Sequence, residues 1–217
     1  MGMRLVLNAL AILPALAAAQ NAVTLRFAPP VGKPYTYEMK VDAGTRNVLT
    51  MRMTMTATKA SGGTSTVVTT FGNMTSMGRP APAAQLAQIR KMRVVTVQNA
   101  NGKVLSSNVD NPIPGLPNPS SGASVAYPAR PIRIGESWSG EVKSSAGNYK
   151  TTYKLLSVGS YKGVRAAQIE ARAKSPRPDV KISPIKYWVE AATGMPLNFD
   201  FSAEAQGQKI RTRMSKV

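Results

Sequence analysis

Alternation at every second residue constrains this chain more than any other feature. In the stretch Leu49 to Lys59, LTMRMTMTATK, methionine returns at 51, 53 and 55 with Arg52 and Thr54 between. Successive side chains leave a pleated backbone on opposite sides, so a period of two is the signature of an extended strand. Leu49, Met51, Met53, Met55 and Ala57 therefore share one apolar face. Thr50, Arg52, Thr54, Thr56 and Thr58 share the other, a polar and largely β-branched set suited to a solvated sheet surface. A helix would scatter both sets around its axis.

The same alternation runs through YTYEMKVD (35–42), TSTVVTTFGNM (64–74), VVTVQNANGKVLS (94–106) and most of the chain after 134. Between these runs, turns are expected at Gly62 and Gly63, at Asn101 and Gly102, at Lys162 and Gly163, at Thr193 and Gly194, and at Gln206 and Gly207. One segment departs from the pattern. In PAAQLAQIRKMR (82–93), Pro82 suits a helix start, Leu86 and Ile89 share a face, and Arg90, Lys91 and Arg93 complement the dipole at a helix end. From 107 to 133 no periodicity survives, and Pro112, Pro114, Pro117, Pro119, Pro128 and Pro131 argue for a long irregular loop. Its apolar Ile113, Leu116, Val125 and Tyr127 suit either a lid over an open sheet face or a disordered connection.

An internal similarity organises the whole. VGKPYTYEMKVDAG (31–44) aligns without a gap to IGESWSGEVKSSAG (134–147), matching Gly32 to Gly135, Glu38 to Glu141 and Lys40 to Lys143, with Tyr35 opposite Trp138. Each copy is followed by a long alternating strand, a turn and another strand. The expected fold is mainly β: a curved antiparallel sheet built from two similar β-meanders (31–78 and 134–217), with one short helix (82–93), a hairpin (94–106) and the Pro-rich loop (107–133), as one continuous sheet or two packed ones.

The N-terminus reads MGMRLVLNALAILPALAAAQ: a basic residue, an apolar run, then Ala17, Ala18 and Ala19. That order is the pattern of a secretory signal peptide over 1–19, and its apolar run falls short of a membrane span. The chain is thus expected to be exported, to a periplasmic or extracellular place, as one β-rich domain from Gln20. Without Arg4 there remain 27 basic against 10 acidic residues, dispersed along the strands. Scattered basic charge in an exported chain suits anionic headgroups or acidic polymers and argues against nucleic acid, although a basic surface also serves solubility alone. Nothing in the sequence sets an oligomeric state.

The chain has no histidine and no cysteine. Triads and dyads built on imidazole or thiolate are therefore excluded, as are the usual zinc ligands and any disulfide. Glu38 and Glu141 read as charge partners of neighbouring lysines, the Ser183 to Lys186 spacing is broken by Pro184, and SGGTST lacks the Gly-Lys-Ser of a phosphate loop. No enzyme activity, cofactor or metal is expected. Thioethers of Met51, Met53 and Met55 can converge on Cu(I), can fill an irregular core, or can line an adaptable apolar hollow. In the last reading Leu49, Met51, Met53, Met55 and Phe71 line the site, and Leu86 and Ile89 approach from the helix. Arg52, Lys209, Arg211 and Arg213 would then form a basic stripe on the opposite face, toward an anionic membrane.

FAPPVGKPYTYEM, LAQIRKMRVVTVQNANGKVLS, YPARPIRIGESWSG and NYKTTYKLLSVGSYKGVRAAQIEA together resemble an uncharacterised family of secreted bacterial proteins, a domain of unknown function. More distantly the layout is similar to the LolA-like periplasmic lipoprotein carrier fold, a half-barrel holding acyl chains on its concave face. The resemblance implies lipid or another apolar ligand as partner. The alternative is an envelope scaffold with no small ligand.

Overall fold

A computed structural model of the chain describes residues 22–44, 46–113, 125–144, 147–175 and 178–217. The expected leader over 1–19 lies outside them, as does Leu116. The strands are β1 (Ala22–Val23), β2 (Pro34–Ala43), β3 (Arg46–Ser61), β4 (Thr64–Ser76), β5 (Arg79–Pro80), β6 (Arg93–Asn99), β7 (Val104–Asp110), β8 (Ile132–Arg133), β9 (Ser137–Ser144), β10 (Gly147–Tyr161), β11 (Val164–Ala173), β12 (Val180–Ile182), β13 (Ile185–Glu190), β14 (Pro196–Ala205) and β15 (Gln208–Lys216). The one helix among the described residues, α1, is Ala83–Lys91.

Apart from the β1–β8 pair, these strands form one continuous antiparallel sheet in the order β7-β6-β4-β3-β2-β15-β14-β13-β11-β10-β9, with β5 and β12 attached to β4 and β14. The path ends at β7 and β9, so the sheet is open. Two meanders are present, β2 to β4 and β9 to β11, each entered through a glycine with positive φ, Gly32 and Gly135. What joins the halves is the pairing of β2 with β15, which places Met39 opposite Met214.

Alternation decides the two faces as expected. Arg52 is exposed while Met51 and Met53 are buried, at 6% and 9% exposure. On the inner face one lateral row crosses eight adjacent strands in register: Met74, Met51, Met39, Met214, Phe199, Tyr187, Ile169 and Leu155. Side chains directly opposite in neighbouring strands have Cβ atoms about 5 Å apart, so the row is a continuous apolar band. Helix α1 packs on β4 and seals Ile89 completely; burying such a side chain contributes roughly 2 kcal/mol. Pro82 stands as the cap rather than inside the helix, and Arg90 at the other end donates to Asn73 Oδ1 at 3.0 Å.

One expectation about irregular sequence needs correction, and one buried segment was not anticipated. Residues 107–133 are not uniformly irregular, because β7 runs to Asp110 and Ile132–Arg133 pairs with Ala22–Val23. The segment from 22 to 30 belongs to the interior, with Val23, Leu25, Phe27 and Pro29 buried. Apolar residues at 23, 25 and 27 repeat with a period of two, a signal by which the segment could have been found.

Both segments become straps across one end of the sheet. Phe27 N–H donates to the Ala100 carbonyl at 2.7 Å in the β6–β7 turn, and Ala28 N–H to the Thr193 carbonyl at 2.8 Å in the β13–β14 turn. Tyr127 repeats this bridge: its N–H donates to the Asn101 carbonyl at 2.7 Å and its hydroxyl to the Gly194 carbonyl at 2.6 Å. The two turns, six places apart in the strand order, are thereby tied twice. Glycine permits the close approach: a Cβ on Gly102 would stand 2.1 Å from the Val125 carbonyl oxygen, and one on Gly194 2.3 Å from that of Arg26.

Candidate functional site

With one end strapped, the inner face is graded along its strands. On β2, Tyr35 and Tyr37 are buried, whereas Met39, Val41 and Ala43 are half-buried. On β15, Met214 is buried, Thr212 half-buried and Ile210 44% exposed. On β14, Phe199 is buried and Phe201, Ala203 and Ala205 are half-buried; on β11, Ile169 and Ala171 are buried and Ala173 half-buried. Each sequence runs from the strapped end to the open end. Register brings the half-buried members together: Leu49 faces Val41, Val41 faces Thr212, Thr212 faces Phe201, and Ile210 lies between Ala43 and Ala203. Ile182 of β12 faces Ala203 and extends this surface. The candidate site is this open-ended apolar surface, floored by the methionine row.

Of the residues singled out in the sequence, only Leu49 lies on that surface. Met51, Met53 and Phe71 stand one or more rows deeper, inside the packed core. Met55 is half-buried against Tyr35 toward the strapped end, Leu86 is half-buried and Ile89 fully buried on the helix. The expectation that Met51 and Met53 look directly into a hollow meets a different arrangement, because both are buried within the apolar core cluster. Met39, Val41, Phe201 and Ile210 were missed. Their strands show the right alternation, but period fixes a face and says nothing about depth along the strand.

The outer face carries the expected cations with partners. Arg211 holds Asp200 through two hydrogen bonds, at 2.9 and 2.5 Å, and Arg213 holds Asp42 at 2.6 Å. The Arg211 guanidinium draws the Asp200 carboxyl below the ordinary carboxylate range. Glu38 pairs along its own strand with Lys40 at 2.9 Å. Lys209 and Arg52 are exposed on the same outer face, so the stripe exists but half of its charge is compensated.

At the strapped end the interior is phenolic. Tyr35 donates to Glu190 Oε2 at 3.0 Å, the oxygen that also accepts from Thr193 at 2.6 Å, and burial pushes the Tyr35 hydroxyl up to about 12. Burial likewise raises Tyr37, Tyr127 and Tyr187 far above the ordinary phenol range. Phenols held neutral by the fold stabilise it fully below about pH 10, where free tyrosine ionises, and that stability is lost as pH climbs further. In an alkaline titration, most phenolate absorbance should therefore appear together with cooperative loss of the β circular-dichroism signal; independent ionisation near pH 10 in a still-folded chain would contradict this burial.

No group of three or more His, Cys, Asp or Glu suited to a metal occurs among the described residues. A cleft of about 510 Å³ opens on the protein surface near Val23, Ile134, Val158 and Arg165, apart from the open-ended surface.

Fold and site together define an open, curved antiparallel sheet with an apolar inner face that is shut at one end. No family model and no curated protein matches the chain. Among solved structures it is similar to the hypothetical lipoprotein YmcC of Escherichia coli, with 14% identity and a TM-score of 0.34 over 94% of this chain and 96% of that one. It is also similar to a domain of proposed outer-membrane lipoprotein-sorting function from Vibrio parahaemolyticus, with 12% identity and a TM-score of 0.29 over 84% and 82% of the two chains.

Proposed function

We propose that the protein is an exported, non-catalytic binding protein of the cell envelope that takes lipid or another apolar ligand on its inner face. One observation carries this reading: on β2, β11, β14 and β15, inner-face exposure rises toward the same open end. A core that merely frayed would turn polar there, whereas this one stays apolar in Val41, Leu49, Phe201 and Ile210. Straps at the other end make the open end the entrance. The methionine floor suits a ligand of variable shape, because thioethers repack at little cost. The leader-like 1–19 segment supports a station outside the cytoplasm, and the basic outer face suits one near anionic headgroups.

Native mass spectrometry of the protein purified without denaturation from its own envelope tests the reading. The expected result is co-purified apolar mass in the range of a single lipid, displaced by a fluorescent fatty-acid analogue. A clean polypeptide mass together with no uptake of the analogue would leave a scaffold without a small ligand.

A further inference from the structure

Three enclosed hydroxyls on the inner face form no hydrogen bond: Tyr37, Tyr153 and Thr151. Buried polar groups are nearly always paired, and an orphan costs about 1–3 kcal/mol. The Tyr153 hydroxyl does lie beside Thr151 and the backbone of Ala126, without closing a bond of good geometry. Tyr37 has no hydrogen-bonding neighbour, although Tyr35 and Glu190 lie near enough to act on its phenol, and it is 0% exposed. Burial keeps its phenol protonated, so it is a donor in want of an acceptor. Tyr127, which is close enough to feel the charge of both Tyr37 and Tyr153, already gives its own hydrogen to Gly194.

The position of Tyr37 gives the orphan a meaning. Along β2 the inner-face residues from the open end are Ala43, Val41, Met39 and then Tyr37, so the phenol stands where exposure stops. Six residues of strand separate it from Ala43, a depth of about 20 Å. Between lie apolar side chains and the Thr212 hydroxyl, and Met53, the cross-strand partner of Tyr37, is, like the Met39 and Met51 pair one row nearer the open end, a flexible thioether. Lys216 stands opposite Tyr37 on β15, half-buried, with its Nζ 4.6 Å from the centre of the Tyr35 ring.

We infer that the orphan hydroxyls receive the leading end of the ligand, and that the inner face selects an apolar chain of about 20 Å tipped with a hydrogen-bond acceptor. Long-chain alcohols, aldehydes and fatty acids belong to this class. The inference rests on the apolar-ligand reading above and adds to it a polarity and a direction of entry. The competing occupant of the same hydroxyls is an internal water.

Displacement of a fluorescent apolar dye by hexadecanol and by hexadecane, on the full chain and on Tyr37→Phe, separates the cases. The parent protein should prefer hexadecanol by about tenfold, the worth of one buried hydrogen bond, and Tyr37→Phe should bring the two within about twofold while hexadecane affinity holds. Removing an unpaired hydroxyl should also leave the melting temperature unchanged or higher; should that variant fail to fold, Tyr153→Phe is read in the same way. Equal affinities in the parent, or a preference that survives in the variant, would overturn the inference and leave apolar binding standing. If neither compound displaces the dye and the dye itself does not bind, the apolar-ligand reading falls as well.

Discussion

Gly194→Val is expected to destabilise the protein by about 3 kcal/mol and to lower its melting temperature by roughly 6–12 °C. Gly194 has φ of +68°, where a β-branched residue is strained, and an added Cβ would lie 2.3 Å from the Arg26 carbonyl oxygen and 2.9 Å from its carbon. Backbone cannot yield as a flexible side-chain tip does, so the strap over 24–30 must lift. The same residue accepts the Tyr127 hydroxyl, and its neighbour Thr193 accepts Ala28 N–H, so both straps lose their anchor together. Gly159→Ala is the matched control, because a Cβ there meets nothing within 4 Å. Thermal melts of the two variants beside the parent read the difference; equal melting temperatures would mean that the straps contribute nothing.

Ile210→Glu should weaken apolar ligand binding by more than tenfold while leaving the fold intact. The side chain is 44% exposed on the inner face, so its carboxylate remains solvated and costs little in stability. A ligand lying against Ala43 and Ala203 would have to strip water from that charge, which costs several kcal/mol. Lys209→Glu changes charge by twice as much, one position earlier, but on the outer face, and should leave binding of a neutral dye unaltered. Fluorescence titration with an apolar dye measures both variants. Unchanged affinity in Ile210→Glu would move the ligand away from the open end.

Much of this fold was legible because strands announce their period. The alternation around Met51 and Met53, the turns at Lys162 and Gly163 and at Gln206 and Gly207, and the helix carrying Leu86 and Ile89 follow from local spacing and turn chemistry. The match of 31–44 to 134–147 was informative in the same way, since both copies enter a meander through a positive-φ glycine. The partner of β2 was not legible. Nothing local to YTYEMKVD names QKIRTRMSK as its neighbour, for strand pairing at long range is decided by the whole sheet. The candidate site suffered from the same limit. Met51 and Ile210 both show period two, yet one is sealed and the other open, because straps and helix set depth and both act from far along the chain. Tyr127 was read as part of a Pro-rich loop suited either to covering the open face or to a disordered connection; it is buried and ties the end of the sheet opposite to the open one.

The β2–β15 seam bears on how such a chain is assembled. Arg213 and Asp42, which clasp across it, are 171 residues apart, and β15 follows every other described strand. Until that strand emerges, the two meanders have no hydrogen bonds to each other across the sheet, and both β2 and β14 show bare, adhesive edges. A polypeptide that emerges from its N-terminus onward completes its sheet only when this strand is free. Such lateness makes loss of β15 a lesion of the whole molecule rather than of its tail.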